Sequence, residues 1–144
     1  MLRLSTRSRY ASRMLVYLAL NARERPANTQ EIASAEGISK DYVEQILTRL
    51  RTAGVVTSHR GIKGGFSIAR NPEDITLKEI VELTEGSISI APCIKGDCNR
   101  SSQCATQVAW DAANNAIEKS LASFNIEDLC KLSKENQSTI SFQI

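Results

Sequence analysis

Three of the four cysteines crowd into twelve positions, as Cys93-x4-Cys98-x5-Cys104. Between them stand Lys95, Gly96, Asp97, Asn99, Arg100, Ser101 and Ser102, a polar loop rather than a core. Structural cysteines sit among apolar side chains, so this loop marks chemistry rather than packing. Thiolates bind soft metals and exchange with disulfides. Zinc sites usually draw C-x2–4-C pairs from two places. Here one segment supplies all three thiols, and the single histidine, His59, is distant in sequence. Three thiolates with one different ligand is an iron–sulfur pattern. From spacing alone an iron–sulfur centre leads, with a redox thiol pair and a zinc site left open. Cys130, beside Leu129 and Leu132, reads as a packed thiol.

The rest of the chain must position that loop. Its 144 residues are 42% hydrophobic and 24% charged, enough for one globular domain or a small domain with an appendage. No apolar run approaches the ~20 residues of a membrane span. The opening Met1-Leu2-Arg3-Leu4-Ser5 lacks the apolar core of a secretory signal, so a cytoplasmic protein with reduced thiols is expected. One histidine, no evident carboxylate pair and no nucleotide-binding loop argue against an enzyme. Charge is unevenly spread. Residues 1–70 hold 12 Lys/Arg against 5 Asp/Glu, a balance of +7, and residues 71–144 hold 6 against 11, a balance of −5. A basic half suits a polyanion.

That basic half has the outline of a helix-turn-helix. Tyr10, Met14, Leu15, Leu18, Ala19 and Ala22 recur at helical spacing over residues 9–22. Thr29 is a candidate cap for a short helix through Ile32, Ala33 and Ala35 to Gly37. Ser39 caps a longer one, with Val43, Ile46, Leu47 and Leu50 facing inward and Gly54 at its end. An ordinary αα-hairpin shares this outline. The next segment separates the two: Val55–Ser58 and Phe66–Ala69 read as strands around the basic, Gly-rich tip His59-Arg60-Gly61-Ile62-Lys63-Gly64-Gly65, a wing. The tip lacks the order of a phosphate-binding P-loop and suits backbone and minor-groove contact.

Beyond Asn71-Pro72, Thr76-Leu77-Lys78-Glu79 matches a capping box and opens a short helix to about Gly86. A long Ala-rich helix is expected from about Ser102 to Ser123. Its apolar face runs Ala105, Val108, Ala109, Ala112, Ala113, Ala116, Ile117 and Leu121, with Trp110 to one side. A lone helix cannot bury such a face, so a dimer is expected. Asn125 caps a short helix from Ile126 to Leu132, and the tail beyond looks loose.

Four stretches together resemble the Rrf-two family of bacterial winged-helix transcription regulators, nearest to its IscR-like branch. They are Leu4 to Ala11, Ile38 to Gln45, Arg49 to Val56 and Arg60 to Phe66. The cysteine loop and Trp110 also fall where that branch has them, and the similarity spans about residues 1–133. The resemblance implies a homodimer bridged by the long helix and a cluster in the cysteine loop whose state sets DNA affinity. It implies 2Fe–2S first and 4Fe–4S second, with Cys93, Cys98 and Cys104 as ligands. It further implies that Glu44 reads bases in the major groove and Arg60 enters the minor groove, on a pseudo-palindromic duplex. The branch carries a histidine three residues after its last cysteine, and here that position is Gln107. Asp97, Asp111, Cys130 or a group of the partner subunit are the alternatives for a fourth ligand.

The expected architecture is therefore mainly α with a small β-hairpin wing. A winged helix-turn-helix domain occupies 1–75, a short helix and cluster-binding loop 76–104, and a dimerisation helix and tail 105–144. Candidate DNA contacts are Arg3, Ser39, Lys40, Tyr42, Glu44, Gln45, Arg60 and Lys63.

Overall fold

The structure, a computed structural model, describes residues 3–96, 98–100 and 103–141. Asp97, weighed as an oxygen ligand, and Ser102, expected to open the long helix, lie outside the described residues. Among the described residues, six α-helices and one two-stranded antiparallel sheet follow in order: α1 (Thr6–Asn21), α2 (Thr29–Glu36), α3 (Lys40–Thr52), β1 (Val56–His59), β2 (Gly65–Ile68), α4 (Leu77–Glu85), α5 (Ala105–Ala122) and α6 (Ile126–Ser141). No helix among the described residues is long and apolar enough to cross a membrane.

Helix α1 is the hub. Its Ala11, Met14, Leu15, Leu18 and Ala19 are buried in one cluster with Ile32, Val43, Ile46, Leu47, Leu50, Ile75, Ile80, Ile126 and Cys130. The helix starts earlier than the hydrophobic period suggests, because the Ser5 hydroxyl accepts from the Ser8 N–H and caps it. Helix α2 is capped by Asn28 and not by Thr29. The Asn28 side chain accepts from the Glu31 N–H while the Glu31 carboxylate accepts from the Asn28 N–H, a full capping box. An amide oxygen one residue earlier outcompetes a threonine hydroxyl because Glu31 can then return the bond. Gly37 follows with φ 67°, the left-handed turn that aims α3 across α2 over the small, buried Ala33.

The wing is tied to the chain before the helix-turn-helix. β1 and β2 pair in the register Val56↔Ile68 to His59↔Gly65. Ala27 then bonds Phe66 in both directions, N–H to carbonyl at 3.0 Å and the reverse at 2.8 Å. Gly65 makes this approach possible: a Cβ there would lie 2.4 Å from the Ala27 carbonyl oxygen.

The C-terminal helix corrects one expectation. The short helix expected to stop at Leu132 runs on to Ser141. No Gly or Pro interrupts residues 126–141, and the Asn125 and Asp128 side chains cap its start reciprocally at 2.8 and 3.1 Å. The helix docks on α1, with Ile126 and Cys130 wholly buried. Helix α5 begins at Ala105, later than expected, and buries Asn114 alone among its residues, leaving Val108 73% exposed and Trp110 47% exposed.

The close contact at Gly65 gives a direct test. Gly65→Ala forces the Ala27–Phe66 bridge apart, losing two backbone bonds worth roughly 0.5–1.5 kcal/mol each. The expected loss of unfolding free energy is about 1–3 kcal/mol, read by denaturant titration. An unchanged midpoint and slope contradict this account of how the wing is seated.

Candidate DNA interface and metal centre

The recognition surface grows from the start of α3. Ser39 is its N-cap, the hydroxyl accepting from the Tyr42 N–H at 3.2 Å. Asp41 favours the positive end of the helix dipole, and Arg49 and Arg51 favour the negative end. Val43, Ile46, Leu47 and Leu50 pack inward, which turns Lys40, Glu44, Gln45, Thr48 and Arg49 outward. Lys40 and Glu44 approach only to 4.0 Å, and both side chains are more than half exposed, so the pair is loose.

Four residues absent from the candidate set join this surface. Arg7, Asp41, Thr48 and Arg49 line an open groove together with Glu44 and Gln45. Thr48 and Arg49 follow from helical spacing, four residues after Glu44 and Gln45. Arg7 has no such signal, since only the packing of α1 beside α3 brings it there. Tyr42 is half-buried rather than presented. Its hydroxyl bonds the Thr6 hydroxyl at 3.1 Å, and its ring meets Tyr10 edge-on at 6.0 Å, with Arg13 stacked over Tyr10. Tyr42 thus fixes α3 against α1. Arg3 lies beside α4 and α5, lining a cavity with Glu85, Ile117 and Leu121. At the wing, Arg60 and Lys63 are exposed and form no ion pair among the described residues.

The cysteine loop hangs between α4 and α5. Thr76 caps α4, and Gly86 ends it. Asn114 then pins the next segment, its side-chain oxygen accepting from the Ile90 N–H at 3.1 Å and its amide donating to Glu118 at 2.9 Å. A 3-10 turn over Pro92–Lys95 carries Cys93. Cys98 follows, and Cys104 stands at the N-cap of α5. All three thiols are free and half-buried. Hydrogen bonding to the Thr106 hydroxyl, at 3.1 Å, and then to the Gln107 and Thr106 N–H groups, holds the Cys104 thiol below its ordinary pKa.

Gln107 stands one turn beyond Cys104 on the same helix face. Its side-chain oxygen is buried with no hydrogen-bond partner among the described residues. A buried amide oxygen without a donor is costly unless something else takes its lone pair. Among the described residues no three Cys, His, Asp or Glu side chains already converge as a metal cage. The donor set nonetheless suits a thiolate-preferring metal or cluster in type: three free thiols, one shifted toward thiolate, and an unpartnered oxygen beside it. Cys130 is different. Burial, then the Glu127 charge, pushes its thiol pKa up, and its sulfur faces the Val16 carbonyl in the core.

Comparison with known proteins gives the family. A family model described as Rrf2, iron-dependent transcriptional regulator, matches residues 4–132. The chain is 35% identical over 132 residues to the protein rrf2 of Nitratidesulfovibrio vulgaris, covering 90% of this chain and 88% of that one. The structure of CymR, the global cysteine regulator of B. subtilis, is similar with a TM-score of 0.79 and 32% identity, covering 92% of this chain and 98% of that one. IscR of T. potens is similar with a TM-score of 0.78 and 32% identity, covering 94% and 91%. These relatives are regulators and not enzymes. The chain belongs to the Rrf2 family of transcriptional regulators.

Proposed function

We propose that this chain is a homodimeric, DNA-binding regulator whose DNA affinity is set by an iron–sulfur cluster in the cysteine loop. The observation that carries the reading is the pairing of the acidified Cys104 thiol with the unpartnered Gln107 oxygen, one turn apart at the start of α5. Cys93, Cys98 and Cys104 are the thiolate ligands, and Gln107 or a group of the partner subunit is the fourth. A 2Fe–2S cluster is the first choice and a 4Fe–4S cluster the second. When bound it would supply one-electron redox chemistry and a weakly held position open to oxygen, nitric oxide or a small thiol.

The chain's own residues do the rest. Glu44, facing outward in the first turns of α3, accepts from a cytosine amino group in the major groove. Gln45 lies beside it for a neighbouring base edge. Ser39, Lys40, Arg7 and Arg49 sit at phosphate-contact positions, with Thr48 between them. Arg60 and Lys63 reach the minor groove from the wing, while Tyr42 holds α3 at its angle to α1. Arg3, seated by α5, serves as a peripheral phosphate contact at most. Val108 and Trp110 leave α5 with an uncovered apolar face, the surface through which two copies would pair. Such a dimer reads a pseudo-palindrome with half-sites about 34 Å apart or a multiple of that. It works in the cytoplasm, where DNA and labile clusters meet.

A second reading keeps the DNA-binding surface and makes the loop a thiol switch or a zinc site. The depressed Cys104 pKa favours it independently, because a thiolate is also the species that forms disulfides. Anaerobic purification with iron and sulfide analysis and visible spectroscopy decides between them. The cluster reading expects brown protein, lost in Cys93→Ala, Cys98→Ala and Cys104→Ala and retained in Cys130→Ala. Gln107→Ala is expected to make the cluster more labile and Gln107→His to hold it more firmly. Colourless protein carrying zinc or a reversible disulfide supports the second reading. Loss of colour in Cys130→Ala, with both Gln107 changes silent, points to a four-cysteine site.

The DNA assignments separate by specificity and salt. Glu44→Ala relaxes base preference at one position per half-site by about 1–3 kcal/mol. Arg60→Ala weakens binding to all sequences and flattens the dependence on salt. Binding titrations across single-base variants and salt concentrations read both. Equal, sequence-blind losses from the two changes defeat the role given to Glu44.

A further inference from the structure

The most exposed large apolar side chain in the described structure is Ile62, at 107% of its reference exposure. It sits at the tip of the wing, apart from Val108 and Trp110 on α5. Arg60 and Lys63, both exposed, flank it. A lone exposed isoleucine needs no explanation in general, but this one is mounted on a stiff support. The Gly64 N–H bonds the Gly61 carbonyl at 3.0 Å, closing a turn with Ile62 and Lys63 at its two central positions. The turn is packed tightly on itself, since a Cβ on Gly64 would lie 2.3 Å from the His59 carbonyl oxygen. Below it, the His59 ring bonds the Ser67 hydroxyl at 2.8 Å across the strands, and the Ala27–Phe66 bridge anchors β2. The tip therefore holds a branched apolar group outward between two cations in sequence, uncovered by any of the described residues.

We infer that Ile62 is an apolar wedge for the DNA minor groove. Resting on the proposed DNA binding, Arg60 and Lys63 bring the tip onto the phosphate-lined groove. The Ile62 side chain then presses against deoxyribose and the edge of a base step, partly unstacking it. Charge complementarity selects the occupant, because a protein surface would not need a cation on each side of the wedge, whereas a duplex groove presents phosphates on both walls. The step that yields most easily is pyrimidine–purine, TA or CA/TG. Ile62 thereby contributes affinity from buried apolar surface and sequence preference from DNA deformability, without a hydrogen bond to any base.

The test uses the full chain and a duplex selected in vitro by the wild type from random sequence. The duplex carries 2-aminopurine at the step facing the wing and a donor–acceptor dye pair at its ends. Ile62→Ala is expected to bind about tenfold more weakly, with smaller 2-aminopurine brightening and less bending by energy transfer. Its salt dependence stays unchanged, since no charge is lost. Ile62→Leu retains most of the signal, and thermal melts confirm that both variants fold. Arg60→Ala serves as the contrast, losing affinity together with part of the salt dependence. If Ile62→Ala binds, brightens and bends like the wild type while Arg60→Ala weakens, the wedge is overturned and the DNA-binding reading stands. If the wild type shows no salt-dependent binding to any duplex, the proposed function falls and the wedge with it.

Discussion

A buried pair of hydroxyls joins the two halves of this molecule. Ser8 of α1 and Thr84 of α4 are both buried and bond each other at 2.8 Å. The Ser8 proton goes to Glu85, so the single Thr84 proton is shared between the Ser8 oxygen and the Ile80 carbonyl, which is also 2.8 Å away. The Glu85 carboxylate closes the arrangement, accepting from the Ser8 hydroxyl and from the Ser5 N–H at 2.9 Å. Burial alone would raise the Glu85 pKa, but these hydrogen bonds outweigh it and hold the group below the ordinary carboxylate value. A carboxylate over the first turn of α1 also suits the helix dipole. Leaving either hydroxyl unpaired in this position would cost about 1–3 kcal/mol, so α1 and α4 are fixed to one another. The recognition helix is fixed to α1 in turn through Tyr42, Thr6 and Tyr10. The cysteine loop departs from the same end of α4, one residue after Glu85. On the proposed function, a change in that loop would reach α3 through a short, hydrogen-bonded joint rather than through a flexible linker.

Much of this is legible from the sequence, and the reasons are local. Ser39 and Thr76 announce helix starts because a hydroxyl before an apolar period has one favourable use. The wing is readable from the glycines between two alternating runs. Local signals fail where two neighbours compete for one job or where partners are distant. Asn28 and Thr29 both suit an N-cap, and the choice depends on which one Glu31 can reach back to. Arg7 belongs to the groove along α3 only because α1 crosses beside α3. The length of α6 escapes a reading by apolar period because its second half is polar, yet nothing in it breaks a helix.

The candidate metal centre divides along the same line. The three thiols announce their chemistry by type and spacing, which sequence records directly. Gln107 is marked in the sequence by its place three residues after Cys104, but the unpartnered burial of its oxygen and the Thr106 hydroxyl's bond to Cys104 emerge only once Cys104 is seen to cap α5. A ligand set drawn from one loop and one helix start can assemble on the metal rather than wait preformed. On the proposed function such a site would report on a cofactor rather than hold one permanently. On the proposed function, the basic half, the acidic half and the joint between them would make one device: a reader of DNA, a sensor loop, and a rigid connection.

The central claim is that the contents of the cysteine loop change how tightly the protein holds DNA. The most direct measurement compares the affinity of anaerobically prepared, cluster-loaded protein with that of the same protein after cluster removal, on one duplex at one salt concentration. The account predicts a ratio of roughly 5–150-fold, the usual range of coupling between two sites, abolished in Cys98→Ala. Equal affinities for loaded and cluster-free protein, both binding the duplex specifically, would contradict it.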